Sequence, residues 1–356
     1  MKKNYSKSIE RSNNVNTIHV SVGADHTLFR FREVNEFSLS AFRNNELWAT
    51  TPDSFNDPYD TSFVINYKEV EKYLFAVLGE ENLLKYRDEL NIKTKSIHKI
   101  ADVFIKNLYF LNQKNFRRLI IISCFSEDIG NEVMWSHYAN QGRGFALEYG
   151  YNDLQNICKS QSRNTLDLVK DMAEVFPFLK DMFEPSKTDE ILDQYGVKPV
   201  IYETSKYNAT KLLIYAIDNI KFYLENNLTN PMDVFNKIFA QNPPLTPDQV
   251  RSMNDSIAFI KNANWSYEKE WRLVCPFPSY DWIKINDNHF CLGKIKPISI
   301  YFGEFMSDFN KATLMLIAKN CGLKINQMVS DHKRMTRQLS YKSVSNQEIE
   351  LFLSKL

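Results

Sequence analysis

Residues 265–275, Trp-Ser-Tyr-Glu-Lys-Glu-Trp-Arg-Leu-Val-Cys, constrain this chain more than any other stretch. They set Glu268, Glu270 and Arg272 between aromatics and run directly into an apolar segment. Read as an extended strand, the alternation places Glu268, Glu270 and Arg272 on one face, with Tyr267, Trp271 and Leu273 on the other or at its end. Two carboxylates beside a guanidinium, under aromatic walls, form a setting in which neighbouring charges drive carboxyl pKa values apart. The competing interpretation is an edge strand with a solvated charge ladder, where each pair contributes little. Two Trp and one Tyr in so short a span are too apolar for that.

A strand of this kind needs a sheet, and its partners are spread along the chain. Leu28-Phe29-Arg30-Phe31-Arg32 alternates, with Arg30 and Arg32 on one face and Phe29 and Phe31 on the other. Ile18 to Val22 and Leu47 to Thr50 are shorter candidates. Leu119 to Ser126 is a continuous apolar run that contains Ser123 and Ser126 and suits a strand covered on both faces. Phe145 to Tyr149, Pro199 to Tyr202, Ile295 to Phe302, Leu323 to Met328 and Met335 to Tyr341 complete the set. Between them lie helical patterns. Val70, Tyr73, Leu74, Val77 and Leu78 form one apolar stripe, and Ile100, Phe104, Leu108 and Leu111 another. Leu166, Val169, Met172 and Ala173, then Leu212, Ala216, Ile220 and Tyr223, mark two more, with Pro231, Pro243, Pro244 and Pro247 punctuating the stretch after Tyr223. A further helix is expected from Ser307 to Asn320, stopped at Cys321-Gly322. The expected fold class is therefore α+β, a mixed sheet assembled from N-terminal, middle and C-terminal strands. Residues 1–16 read as a mobile tail. Residues 17–356 read as one α+β domain with helical insertions at about 67–116 and 152–262.

Composition removes several functional classes. Lys+Arg (44) and Asp+Glu (43) nearly cancel, which argues against a broad nucleic-acid footprint. Only 10 glycines are present, and neither GxGxxG nor a Walker-type lysine loop occurs. The five cysteines are isolated, with no CxxC spacing, and the six histidines form no HExxH. That pattern suits reduced thiols in the cytoplasm and leads us to expect no metal. No stretch approaches the length of a membrane span.

The polar candidates fall into three groups. Thr51 to Asp60 holds Asn56 and Asp57 in a loop that local Asx-turns explain on their own. Met134-Trp135-Ser136-His137-Tyr138, with Gly142 and Gly144 making a tight turn after it, offers Trp135, His137 and Tyr138. A lone His such as His137 serves as a base or ligand less often than as a structural hydrogen-bonding residue. The third group is Glu268, Glu270 and Arg272.

Taken together, Phe-Arg-Phe-Arg, Ser-Phe-Asn-Asp-Pro-Tyr-Asp, Ser-Cys-Phe-Ser-Glu, Met-Trp-Ser-His-Tyr, Gly-Phe-Ala-Leu-Glu-Tyr and Trp-Ser-Tyr-Glu-Lys-Glu-Trp-Arg resemble a bacterial family of domains of unknown function, number 2971, over roughly residues 28–305. The first motif departs from it, with Arg30-Phe31-Arg32 where Lys-Tyr-Arg is usual. The chain also resembles the ADP-ribosyltransferase fold. That resemblance implies an early-strand Arg30 or Arg32 for the NAD pyrophosphate and a middle-strand Ser123 or Ser126. It implies a catalytic Glu270 ahead of an apolar strand, with Glu268 orienting the acceptor or acting as a base. Trp135 or Tyr138 would stack on nicotinamide or adenine, and Asn56 and Asp57 would fix a closing loop. NAD would be the substrate, with a protein side chain, a nucleic-acid base or water as acceptor. Toxins and antiviral effectors often use such a fold.

The resemblance requires Arg30 or Arg32, Ser123 or Ser126, and Glu270 to share a cleft beside Trp135 or Tyr138. The NAD reading fails if both arginines and the Glu270 carboxylate fall on opposite faces of the sheet, and the site reading weakens if Glu270 is fully ion-paired to Arg272 or to a remote lysine in a closed core. Three rivals stand beside it. One is a metal-dependent nuclease using Asp57, Asp60, Glu268 and Glu270 around Mg²⁺. Another is a nucleotide- or peptide-binding module without turnover. The last is a structural or regulatory partner protein in a defence operon.

Overall fold

The chain opens on a hairpin. Tyr5–Ser12 (β1) pairs antiparallel with Val15–Val22 (β2). Tyr5–Ser12 falls within the stretch expected as a tail, and its Tyr5 ring packs edge-on against Trp271 with centroids 4.9 Å apart. The computed structural model describes residues 5–12, 15–89, 91–161, 196–225, 256–276, 289–330 and 339–355. Thr27–Arg32 (β3) leads into Glu36–Arg43 (α1), whose start is fixed by a capping box between Asn35 and Ser38. Glu46–Thr50 (β4) and the short Phe63–Val64 (β5) come after it. The first helical insertion is Tyr67–Glu89 (α2), broken at Gly79 (φ 72°), and Ile97–Leu119 (α3). Ile120–Ser126 (β6), Glu132–Tyr138 (α4) and Phe145–Gly150 (β7) come next, and a helix over 151–161 (α5).

The second expected insertion is more mixed than the sequence pattern implied. Gly196–Pro199 (β8) and Ile201–Glu203 (β9) divide the single strand expected at 199–202, and Tyr207–Asn208 (β10) precedes Thr210–Glu225 (α6). The stripe from Leu166 to Ala173 and the prolines from 231 to 247 lie outside the described residues, as do positions 335–338 of the strand expected up to Tyr341. Ile260–Asn262 (β11) runs into a 3₁₀ turn over Ala263–Glu268, then Glu270–Pro276 (β12) and His289–Lys294 (β13). Ser299–Phe302 (β14), Asp308–Asn320 (α7), Lys324–Val329 (β15), Ser340–Ser343 (β16) and Asn346–Leu353 (α8) close the chain. As expected, α7 stops at Cys321, with Gly322 at φ 64°.

The main sheet is mixed and mostly antiparallel, with β14 and β15 as its parallel pair. Its members come from both ends and the middle of the chain, as the α+β reading requires. At its centre is β6. One edge of β6 pairs along its whole length with β12, which in turn pairs with β8. The other edge is shared. Ile122 meets Thr50 of β4, and Ser126 meets Phe29 of β3, by one residue pair each. The sheet therefore splits between β3 and β4. On one side β4 continues to β13, and on the other β3 continues through β7, β14, β15 and β16.

Each face has its own core. Trp271, Leu273 and Cys275 of β12 join Leu28, Phe145, Leu147 and Ile300 beneath α1, α5, α7 and α8. Val274 joins Ile120 and Ile122 beneath α2, α3 and α6, whose inward residues include Leu74, Ile105, Leu213 and Ile217. A smaller cluster of Phe29, Phe31, Met134, Trp135, Tyr301 and Met328 seats α4 on β3. Among the described residues no helix is long and apolar enough to cross a membrane.

The turn after α4 holds that helix against β3. Gly142 takes φ 76°, and Gly303 N–H and Phe305 N–H donate to the carbonyls of Gly144 and Gly142. A Cβ on Gly144 would stand 2.2 Å from the Arg32 carbonyl oxygen and 2.9 Å from that of Ala139. Backbone on both sides leaves no room to yield. Gly144→Ala is expected to cost about 1–3 kcal/mol, as overpacked sites do. Chemical denaturation checks this, and an unchanged midpoint would count against the seating described.

Candidate functional site

The split between β3 and β4 opens a cleft. Its cavity, about 280 Å³, is lined from four directions. Arg30 and Arg32 come from β3, Cys124 and Ser126 from β6, and Phe55, Asn56, Asp57 and Asp60 from the loop after β4. The fourth wall holds Tyr138 of α4 with Lys261, Trp265, Glu268 and Glu270.

The 3₁₀ turn and α4 are locked together before either reaches the cleft. The Asn131 side chain caps α4 by accepting from the Val133 and Met134 amides and donates to the Tyr267 carbonyl. The Ser126 hydroxyl donates to the Glu268 carbonyl at 2.7 Å. Lys269 then turns through the left-handed region (φ 45°), and β12 begins at Glu270. This corrects the single strand expected across 265–275. Glu268 still faces the same cleft as Glu270, through the turn instead of through alternation.

Five buried ionisable groups meet there. The Arg272 side chain is fully buried, and its guanidinium places all five N–H donors. Nε donates to Glu270 Oε1 at 2.9 Å and Nη2 to Glu270 Oε2 at 3.2 Å. Nη1 and Nη2 donate to Asp60 Oδ1 and Oδ2 at 2.9 and 2.6 Å, and Nη1 also to the Ala258 carbonyl at 2.6 Å. Lys261 Nζ joins the group, 2.6 Å from Glu268 Oε2, 3.0 Å from Glu270 Oε2 and 3.6 Å from Asp60 Oδ2. Glu268 Oε1 accepts the Tyr138 hydroxyl at 2.5 Å.

Three carboxylates thus share two cations, and the environment separates their proton affinities. Burial pushes the Glu270 carboxyl up, but Arg272 and Lys261 more than offset it and hold it down at about 2. Glu268 lacks a guanidinium, so burial and then the charge of Glu270 raise it above the ordinary carboxylate range. Burial works against the Lys261 charge, yet Glu270, Asp60 and Glu268 keep that ammonium protonated. Burial and then Glu270 hold the Cys124 thiol protonated. The outcome is a fixed anion, Glu270, beside a carboxylate able to take up a proton, Glu268.

The expected residues divide. Asn56, Asp57, Ser126, Tyr138, Glu268, Glu270, Arg30 and Arg32 line one cavity. The shared cleft is as expected, but the strand faces are not: the arginines lie on the face opposite Glu270, and Glu270 is paired to both Arg272 and Lys261, which are the two outcomes that count against the NAD reading. Register puts Phe29 beside Ser126 and Glu270 on one face, so Arg30 and Arg32 belong to the opposite face with Leu147 and Phe145. They reach the cavity through the split, where Arg30 donates across it to the Trp48 carbonyl of β4. No carboxylate among the described residues forms a salt bridge with either. Burial, and then the charge of Arg32, pushes the Arg30 guanidinium down to about 9.

Other expected residues lie elsewhere. Ser123 is buried on the far face of β6, where alternation must put it. Trp135 is core, its indole N–H donating to the Ile129 carbonyl and its ring edge-on to Phe31. His137 is exposed outside the cavity beside Tyr267. Arg272 is sealed beneath the cleft and cannot touch a ligand. The loop of Asn56 and Asp57 contains the expected Asx-turn, Asp57 accepting from the Tyr59 amide, and also delivers Asp60. The sequence reading missed Lys261, whose one signal is a lysine closing the apolar run 257–260. It also missed Trp265 and Phe55 as walls.

Residues 134–273 match the model of a family described as "Protein of unknown function (DUF2971)", which bears out the resemblance read from the motifs. The matched span holds Tyr138, Lys261, Glu268, Glu270 and Arg272, and leaves the arginines of β3 and the loop after β4 outside it. No curated protein and no solved structure matches the chain.

Removing one member of a buried ion cluster leaves its partners uncompensated, at about 3–5 kcal/mol. Arg272→Met is expected to lose that much at neutral pH. Glu270 has a folded pKa below its ordinary 4.5, so its stabilising contribution is complete above that value. It is lost as pH falls from there toward about 2. The gap between wild type and Arg272→Met should therefore narrow below pH 4.5. Urea titrations across pH test this; a gap of constant size would contradict the pairing.

Proposed function

We propose that this chain is an NAD-using enzyme of the ADP-ribosyltransferase type, cleaving the nicotinamide–ribose bond and passing ADP-ribose to an acceptor or to water. The observation that carries the reading is the Glu268–Lys261–Glu270 arrangement, two carboxylates on one buried ammonium with opposite pKa shifts, at the wall of a cleft walled by Phe55 and Trp265.

The chemistry rests on those shifts. When the C–N bond breaks, its electron pair goes to nicotinamide, and positive charge appears at the ribose C1 and ring oxygen. Three carboxylates on two cations leave one net negative charge beside the cleft, and through the ionised Glu270 it stabilises that positive charge. As the acceptor's nucleophile bonds to C1, its proton passes to Glu268. Burial has made Glu268 a stronger base than an ordinary carboxylate, and Tyr138 orients it. The opposite-face placement of Arg30 and Arg32 counts against the pyrophosphate fork first expected of them, so the reading rests on the carboxylates and leaves the arginines only a field effect. They supply positive potential at the floor of the cleft through the split, favouring the diphosphate end of the substrate without needing a direct fork. The free cysteines suit a cytoplasmic enzyme.

Nicotinamide release from NAD by the purified protein, with cell lysate supplying acceptors, is the test. Glu268→Gln should lower the rate by about a hundredfold or more, the scale of lost acid–base catalysis, while the variant remains folded by circular dichroism. A chelator should leave the wild-type rate unchanged. NAD binding without release would make the chain a binding module, and magnesium-dependent cleavage of RNA or DNA would make it a nuclease; either sinks the reading.

A further inference from the structure

Beyond the carboxylates the cleft continues. A second cavity, about 470 Å³, shares Asn56, Asp57, Asp60, Lys261 and Trp265 with the first. It extends past them to Tyr59, Glu203, Lys206, Asn262 and Asn264, so one carboxylate shares this end with the ammonium. Its volume falls within the range of about 300–1,000 Å³ usual for small-molecule sites. Nothing in the chemistry above uses it.

Its lining is specific in kind. Trp265 stands at the boundary, partly exposed, with Lys261 Nζ 5.0 Å from its ring centre. Tyr59 is 72% exposed, far more than an aromatic ring normally is, and Lys206 Nζ lies 5.2 Å over it. Two amide side chains stand at the start of the 3₁₀ turn, Asn262 as its cap and Asn264 within it, and the Asn262 side-chain oxygen accepts from the Asn264 backbone N–H at 2.9 Å. Aromatic rings give a base a surface to stack on. Side-chain amides pair in two-point fashion with the adenine edge. An exposed ammonium beside them suits a phosphate.

We infer that this second cavity is a purine-nucleotide site, with Trp265 and Tyr59 as stacking surfaces, Asn262 and Asn264 reading the base and Lys206 meeting the phosphate. It rests on the proposed function only for its role in turnover, not for binding. Two sources share this chemistry, the adenylate half of the NAD donor or a nucleotide of a separate acceptor.

Binding of AMP to the full chain, measured by calorimetry, decides it. AMP should bind, and Asn264→Ala, which removes a base-edge contact, and Lys206→Ala, which removes a phosphate contact, should each weaken it about tenfold. Both residues are exposed, so neither variant threatens the fold. AMP that competes with NAD in the nicotinamide assay assigns the cavity to the donor's own adenylate, and AMP that binds without raising KM for NAD assigns it to the acceptor. No AMP binding, or binding that both variants leave unchanged, overturns the inference. It fails alone if wild type still releases nicotinamide. If AMP binds and nicotinamide is not released, the cavity stands and the NAD reading falls.

Discussion

The centre of this molecule depends on one fully buried guanidinium. Arg272 bonds Asp60, Glu270 and the Ala258 carbonyl at once, and so ties together the loop after β4, strand β12 and the segment before β11. These are separated by as many as 212 positions in the chain. A buried ion cluster is a poor source of net stability, because desolvation offsets most of the attraction. Its effect here is geometric. With every donor placed, the guanidinium fixes the two carboxylates' positions, and Phe55, with its ring centre 5.5 Å from the guanidinium carbon, covers it. Lys261 then adds Glu268 to the same group. A hydrophobic replacement could fill the space, but it could not hold three carboxylates within reach of one cavity.

How much of this was legible in the sequence depends on the range over which each residue's position is decided. The sheet was legible because alternation and apolar runs are local signals. The runs at Leu28 to Arg32, Leu119 to Ser126 and Phe145 to Tyr149 each became a central strand. Glu268 and Glu270 were legible as a site because two carboxylates among Trp and Tyr have little bland explanation. Trp135 was misjudged because a Trp next to a His and a Tyr gives no sign of which side chain turns inward. On α4 only Tyr138 faces Glu268, while Trp135 is one turn back, against Phe31. Lys261 was invisible for a different reason. Its partners lie across a 3₁₀ turn and on a distant loop, and nothing near Lys261 in the chain announces a carboxylate. The arginines were read on the correct strand. Their face relative to Glu270 depended on the pairing of β3 with β6, which no local pattern encodes.

That pairing also explains why opposite faces still share one cavity. A continuous sheet would have sealed Arg30 and Arg32 from Glu270. Because β3 and β4 each pair with β6 at one position, the sheet opens between them, and side chains from both faces line one cavity. The guanidiniums are buried there, so their potential is screened less than it would be in water. The Arg30 side chain crosses the gap to the Trp48 carbonyl, which holds the two halves in register while leaving the opening.

The conformation of Lys269 is the remaining piece. Left-handed backbone costs a residue with a Cβ roughly 1–2 kcal/mol, and such outliers persist where their surroundings impose them. Here the surroundings are visible. The Lys269 carbonyl accepts from the Glu127 amide, and its ammonium pairs with Asp128 at 2.6 Å. Without that reversal Glu268 and Glu270 would be successive same-face residues of a strand, roughly 6.6 Å apart along it. One ammonium could then not easily sit at 2.6 and 3.0 Å from both. Folding the chain at Lys269 closes that distance and turns Glu268 toward Tyr138, away from Arg272. The same local strain thus brings the carboxylates together and gives only one of them a guanidinium, and this asymmetry is what separates a fixed anion from a base.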